Sequence, residues 1–435
     1  MQMAYKAVSI LFFGLILSIP VSAQLNLSQL ENSIKEKQHT YSAWYQYLHA
    51  NPELSTKEIQ TAAFLKKEMK ALGWELVDSL GYQSFAAVLK NGNGPTILYR
   101  TDMDGLPLKE LTGLPFASTN SAMHACGHDL HMSSWLGTAQ IMTQLKKSWS
   151  GTLVLLAQSA EETGQGAKKV VASANYKKLP VPMAQIALHD HAELLAGQAG
   201  FCDGYSMAAV DMLNITVFGK GGHGAMPNKT IDPVVLASQY VLAMQTIVSR
   251  NLPTTENAVV TVGAIQGGTV GNIVPDQVEL RLTIRSFSKE ARQLIFDRIK
   301  TIGNNLALAA GLDSTRLPVY NLLDMSIPSV YNDPALGARL RANLQRQLGD
   351  SAIATVAPVM IGEDFGVYGQ QAQRIPSYIM WLGTVTPERK KLALSGAMEL
   401  PSLHSPRFAP DFDPSIEGAV KTMSLSLLNL LQIKD

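Results

Sequence analysis

Cysteine is nearly missing from this chain: Cys126 and Cys202 are the two among 435 residues. That excludes a disulfide-stapled scaffold and a four-cysteine zinc ribbon. A charge of one sign is missing as well, with 36 Lys+Arg against 35 Asp+Glu and a charged fraction of 16%. No strong field exists to attract nucleic acid or an anionic membrane, and neither is expected as a partner. Internal repeats and low-complexity tracts are lacking too, while a hydrophobic share of 46% is ample for packed cores. The length exceeds one small module and suits two domains, one inserted in the other.

A single long apolar stretch stands at the start. Lys6 precedes a run from Ala7 to Ile19, Pro20 breaks it, and Val21-Ser22-Ala23 offers small residues before Gln24. Charge, apolar core and small residues in that order make a secretory signal. The run is shorter than the ~20 residues a spanning helix needs. The expectation is export to the periplasm or beyond, with residues 1–23 removed and no stable membrane insertion afterwards. An uncleaved anchor is the competing reading.

Beyond Gln24 the chain alternates between helical and strand patterns. Ser55 and Glu58 have capping-box spacing ahead of Ile59, Ala62, Leu65, Met69 and Leu72, with Gly73 to end the helix. Short apolar runs then stop at polar clusters. The run 96–99 meets Arg100-Thr101-Asp102-Met103-Asp104, the run 152–157 meets Glu161-Glu162, and the run 186–188 closes at His189. A helical pattern spans 131–145, and the alternation predicts an α/β fold with a mixed, largely parallel sheet. Ligands sit off the carboxyl ends of such strands, so the three clusters should converge.

From about residue 210 the pattern takes period two. Leu213, Ile215 and Val217, and later Val278, Leu280, Leu282 and Ile284, alternate with polar residues, as strands with one wet face do. Helical patterns fit 232–248 and 288–310. We read an inserted α+β domain over 210–328, an antiparallel sheet plus two helices. It interrupts an α/β domain of 24–209 and 329–435, which carries Gly362-Glu363-Asp364-Phe365 and a closing helix near 415–431.

The densest chemistry is His124-Ala125-Cys126-Gly127-His128-Asp129-Leu130-His131. Thiolate and imidazole suit zinc and other borderline cations. Gly127 lets the backbone turn closely enough for Cys126 and His128 to face one centre. Glu161-Glu162 offers one carboxylate to a metal and another to proton transfer. Adjacent buried acids would repel without a cation between them; solvated acids at a helix N-terminus are the alternative. Gly219-Lys220-Gly221-Gly222-His223-Gly224 satisfies the dinucleotide fingerprint, but Pro227 and Asn228 come next and no acid stands about 20 residues on, which rejects a nucleotide site.

The segments 100–107 and 112–115 and the His-Ala-Cys-Gly-His-Asp motif together resemble the M20 metallopeptidase and amidohydrolase superfamily. More narrowly they resemble its aminoacylase, hippurate hydrolase and auxin-conjugate hydrolase branch, from His49 to Phe408. The resemblance implies Cys126, His128, Glu162, His189 and His404 as ligands of two divalent metal ions. The thiolate favours zinc, with manganese, cobalt and nickel as alternatives. It implies 24–209 and 329–435 as the catalytic domain under a lid of 210–328, Glu161 as general base, Asp104 orienting a ligand from behind, and His223 brought in by lid closure to the oxyanion. Asn272 and Arg285 match lid positions that meet the substrate carbonyl or carboxylate, a solvated strand face being the alternative for Arg285.

Around these, His191 competes with His189 as ligand. His124 and His131 are expected as hydrogen-bonded supports, and His39 and His49 as surface or structural residues. Cys202 is expected as a small buried residue, and a Cys126–Cys202 disulfide is the reading that would destroy the site. The implied activity is hydrolysis of an N-acyl amino acid or a small peptide-like amide. A dipeptidase or carboxypeptidase on the same centre, a non-catalytic binder of amino-acid conjugates, and a redox protein using the two cysteines are the rivals. The partner is a small-molecule amide, and the free edge of the lid's sheet would serve a homodimer or higher oligomer.

Overall fold

Apolar residues at helical spacing, Leu30, Ile34, Tyr41, Tyr45 and Leu48, build a long first helix, α1 (Leu27–Ala50), in the computed structural model, which describes residues 27–433. The signal-like segment 1–23 lies outside the described residues. Helix α2 (Ile59–Ala71) comes next, without the expected capping box. Ser55 Oγ donates instead to Asp104, at 2.6 Å, and Glu58 turns inward to accept from Ser159 Oγ and the Ala160 N–H. Buried donors behind the paired acids outcompete the local cap.

Strands β1 (Glu75–Val77), β2 (Phe85–Asn91), β3 (Thr96–Asp102), β4 (Trp149–Gln158) and β5 (Ala184–Leu195) lead into a second sheet. That sheet holds β6 (Ala209–Phe218), β7 (Ala258–Gln266), β8 (Gln277–Ser286) and β9 (Val319–Leu322) before β10 (Ser377–Val385) returns to the first. Among the described residues nine strands form the main sheet, in the order β1-β2-β4-β3-β5-β10, then Ala199–Phe201 and Ile353–Thr355, with Gln432–Ile433 beside β4. Its centre is parallel: β3 pairs with both β4 and β5, and β5 with β10. Strand β4 is buried along nearly its whole length because both faces of the sheet are covered. One face carries α1, α3 (His128–Gln144) and α6 (Phe412–Leu430), which pack on one another over the larger core.

The register sets the site. Asp102 lies opposite Gln158, and Arg100 opposite Ala187, so the segments leaving β3 and β4 emerge level with His189. His189 sits inside β5 rather than closing it, because pairing with β10 carries the strand on to Leu195. Helix α3 begins at His128 itself, three residues earlier than its apolar pattern.

The second sheet is antiparallel, in the order β7-β8-β6-β9. Alternate residues of β6, among them Leu213, Ile215 and Val217, face a separate core under α4 (Pro233–Thr246) and α5 (Lys289–Ala309). Each helix starts where the sequence supplies a cap: Asp232 accepts from the Val234 and Val235 N–H groups, Ser288 from that of Ala291. Among the described residues no helix is long and apolar enough to cross a membrane.

Candidate metal centre

Gly127 makes the turn into α3 with φ +78°, and a Cβ there would overlap the Asp190 carboxylate. Only glycine meets both demands cheaply. Cys126 and His128, on either side, therefore face His189 of β5. The Cys126 sulfur lies 3.6 Å from His189 Nε2 and 3.3 Å from His404 Nε2. Glu162 Oε1 is 3.9 Å from His128 Nε2 and 3.6 Å from His404 Nε2. Two groups result, Cys126–His128–His189 and Cys126–Glu162–His404, each with its donor atoms within 4.8 Å of one another, and both include the Cys126 sulfur.

The donors fit divalent cations. A tetrahedral ion with bonds of ~2.0–2.3 Å sets its ligand atoms about 3.3–3.8 Å apart. His128 Nε2 and Glu162 Oε1 are both buried without a hydrogen-bond partner. Leaving such groups unpaired is costly, and a cation between them satisfies both. Two non-glycine residues beside the donors, Ala160 at φ 59° and His404 at φ 63°, hold left-handed backbone, a strain that clusters at functional sites.

Behind the donors the polar groups are spoken for. His128 Nδ1 donates to the Asp104 carbonyl at 2.8 Å and His189 Nδ1 to the Asp190 carbonyl at 2.9 Å, which turns both Nε2 atoms toward the centre. The Asp104 carboxylate accepts the N–H groups of Glu161 and Glu162, both at 3.1 Å. Asp104 thus orients His128 through its main chain and the acid pair through its side chain. His131 bridges Asp102 at 2.7 Å and the Asp190 N–H at 2.9 Å, as a support. His124 departs from its expected role: both ring nitrogens are buried without a hydrogen-bond partner, and burial lowers its pKa to about 4. A site without acceptors suits only the neutral ring.

His191 stays outside the cluster, its Nδ1 accepting the Glu193 N–H and its ring against Trp381. His39 is exposed, whereas His49 is buried between Asp129 at 2.6 Å and Glu110 at 3.0 Å. Both cysteines are free and buried, with Cys202 directed at the Tyr205 carbonyl, so no disulfide competes for Cys126.

Sequence reasoning left Glu363 and Asp364 without a role and missed their partner. Arg100, fully buried, donates to Asp102 at 2.5 Å and to Glu363 and Asp364 at 3.0 Å each, and its Nε to Gln158 at 3.1 Å. Glu161, Glu363 and Asp364 bring carboxylate oxygens within 4.8 Å of one another. Burial, then Glu363 and Glu162, push the Glu161 pKa well above the usual carboxylate range. Burial raises Glu162 to about 7 against the pull of His128, and burial with both acids raises the Cys126 thiol. A surplus of buried acid faces the point where the donors converge, and a divalent cation relieves it.

These groups open onto a pocket of about 490 Å³. Cys126, Glu161, Glu162, His189 and His404 line it, and Arg285 reaches it from β8 of the second sheet. His223 and Asn272 do not line it. They lie exposed on a two-stranded ribbon, Gly222–His223 against Ile273–Val274, with the Asn272 carbonyl accepting the Gly224 N–H.

Comparison with known proteins identifies the family. The family model described as Peptidase family M20/M25/M40 matches residues 98–394. The N-acetylcysteine deacetylase of Bacillus subtilis (strain 168) is 36% identical over 343 residues, which cover 78% of this chain and 86% of the relative. An N-acetyldiaminopimelate deacetylase of Leuconostoc citreum (strain KM20) is 34% identical over 350 residues, covering 79% of this chain and 88% of its own. Among solved structures, a dinuclear metal-binding peptidase of the M20 family from Bacillus subtilis superposes with a TM-score of 0.75 at 29% identity. The match covers 91% of this chain and 98% of that one.

Proposed function

Because the chain belongs to peptidase family M20/M25/M40 and is a hydrolase of amide bonds, we propose that it is a dinuclear amidohydrolase of N-acyl amino acids. One observation carries the reading: Cys126, His128, Glu162, His189 and His404 converge from four separate stretches of chain, beside a further carboxylate, Glu161, that lies outside both groups containing the Cys126 sulfur. Two divalent cations held by those five side chains would polarise the amide carbonyl and acidify a water molecule. Zinc suits the thiolate best, with manganese, cobalt or nickel as substitutes.

The protein's own groups do the rest. Glu161, buried at the pocket beside the five donors, is placed to take a proton from the attacking water and return it to the leaving nitrogen. Asp104 holds both acids through their N–H groups, so the base does not swing away. Arg285, half-buried and without a carboxylate partner among the described residues, is available to bind the substrate's carboxylate. His223 and Asn272 would reach the developing oxyanion only after the lid moves. The deacetylase relatives act on N-acetylated amino acids by name, which supports the same substrate class here.

Export is part of the reading, resting on the charge and apolar order of residues 6–23, and N-terminal sequencing of the secreted protein checks it. The reaction is tested by metal analysis of protein purified without chelator, paired with a panel of N-acyl amino acids and dipeptides. We expect about two metals per chain and release of free amino acid from the acyl substrates that stops on chelation. Metal-independent release, or release from dipeptides alone, would refute the proposal.

A further inference from the structure

Beside the acids and imidazoles, part of the pocket lining forms an apolar wall. It consists of Val210, Met212, Met325, Ile327, Met360 and Ile361. Met325 is 43% exposed and Ile361 is 42% exposed, beside a floor of carboxylates. Large apolar side chains gain nothing by facing water there, and an apolar substituent entering the pocket would cover them. Arg285 is the one Lys or Arg among the lining residues, and it belongs to the same wall. Val210 lies directly opposite it in the β6–β8 register, and a Cβ on Gly362 would stand 3.5 Å from its Nη1, so the guanidinium lies over the 360–362 segment.

In an N-acyl amino acid the carboxylate and the side chain branch from one carbon. A carboxylate on Arg285 therefore brings the side chain onto the surface around it. We propose that this wall is the subsite for the amino-acid side chain, and that it selects an unbranched or branched apolar chain, aliphatic or thioether, over a charged one. Three methionines give it a polarisable surface that moulds to chains of different length. A charged end would lose its water against these apolar side chains, which offer it no opposite charge: Arg285 is occupied by the carboxylate, and Glu161 and Glu162 are engaged at the metal centre. The inference rests on the amide-hydrolysis reading above and deepens it.

The test compares kcat/KM for N-acetyl-L-methionine and N-acetyl-L-lysine, using the metal-loaded full chain and two variants, Met325→Glu and Ile361→Asp. Both positions are solvent-exposed, and metal content and melting temperature show whether each variant folds. The wild type is expected to favour the methionine substrate by at least roughly tenfold, the scale on which apolar pockets discriminate. Either variant should shrink that ratio several-fold. Equal rates in the wild type, or a ratio that neither folded variant moves, overturn the subsite and leave the amide reading standing. If two metals are bound and neither substrate is cleaved, the amide reading falls and the subsite with it.

Discussion

Glu58 Oε1 accepts the N–H of Ala160 at 2.8 Å, one residue ahead of the acid pair. Ala160 sits at φ 59°, and Ser159 Oγ donates to the other oxygen of the same carboxylate at 2.5 Å. The first turn of α2 thus clamps a strained turn that aims Glu161 and Glu162. Burial, reinforced by Asp104, raises the Glu58 pKa to about 7, so its charge is itself a cost. Glu58→Gln keeps an acceptor and removes the charge, and should be as stable as the wild type or more so. Glu58→Ala orphans the buried Ala160 N–H and should lose about 1–3 kcal/mol together with turnover. Urea unfolding of both variants decides; a wild-type midpoint for the alanine variant would refute the clamp.

Gly127→Ala should disrupt the metal centre more than a one-carbon change suggests. The left-handed backbone at φ +78° costs an L-residue about 1–2 kcal/mol, and the added Cβ meets the Asp190 carboxylate. Relief requires Cys126 or His128 to move. Reduced metal retention after dialysis is expected, and full retention would show that the close approach is not needed.

His49 should contribute stability that depends on pH. Burial alone lowers its pKa, but hydrogen bonds to Asp129 and Glu110 raise it to about 10. A group whose folded pKa lies above the unfolded value of about 6.5 adds stability that is complete below pH 6.5. That stability fades as pH climbs toward 10. His49→Gln removes the charge between two buried acids and should cost roughly 3–5 kcal/mol at pH 6. The gap to wild type should narrow steadily by pH 10, as urea midpoints at several pH values would show. A pH-independent gap would mean that His49 is neutral in the folded protein.

Glu161→Gln separates proton transfer from metal binding. The amide keeps the shape and leaves the five donors untouched, so metal content should match wild type. Turnover should drop by about 10²–10⁴, the usual worth of a positioned general base. Single-turnover kinetics on an N-acyl amino acid provide the measure, and wild-type rates would remove Glu161 from the mechanism.

Much of the centre was legible because strand ends carry it. An apolar run that stops at Asp102-Met103-Asp104 or Glu161-Glu162 announces both the strand and the polar group at its tip, and parallel pairing brings those tips level with His189 inside β5. Glu363 and Asp364 were visible as a motif without a role, since their partner Arg100 lies more than 260 residues earlier in the chain. Ser55 and Glu58 misled for the opposite reason: their spacing satisfied a local rule while a distant turn supplied the stronger partners. The methionine wall gave no pattern at all, because its members come from β6 and two separate loops.

By itself, then, the sequence determined the kind of chemistry and the two-part α/β architecture, since residue type, periodicity and strand-end placement are local properties. Only the tertiary structure decided that His189 rather than His191 faces Cys126, that His124 stands without a partner, and that Arg285 reaches the pocket while His223 and Asn272 do not. Each of those outcomes depends on which buried polar atoms find a partner once distant segments have packed, and that is settled by the whole chain.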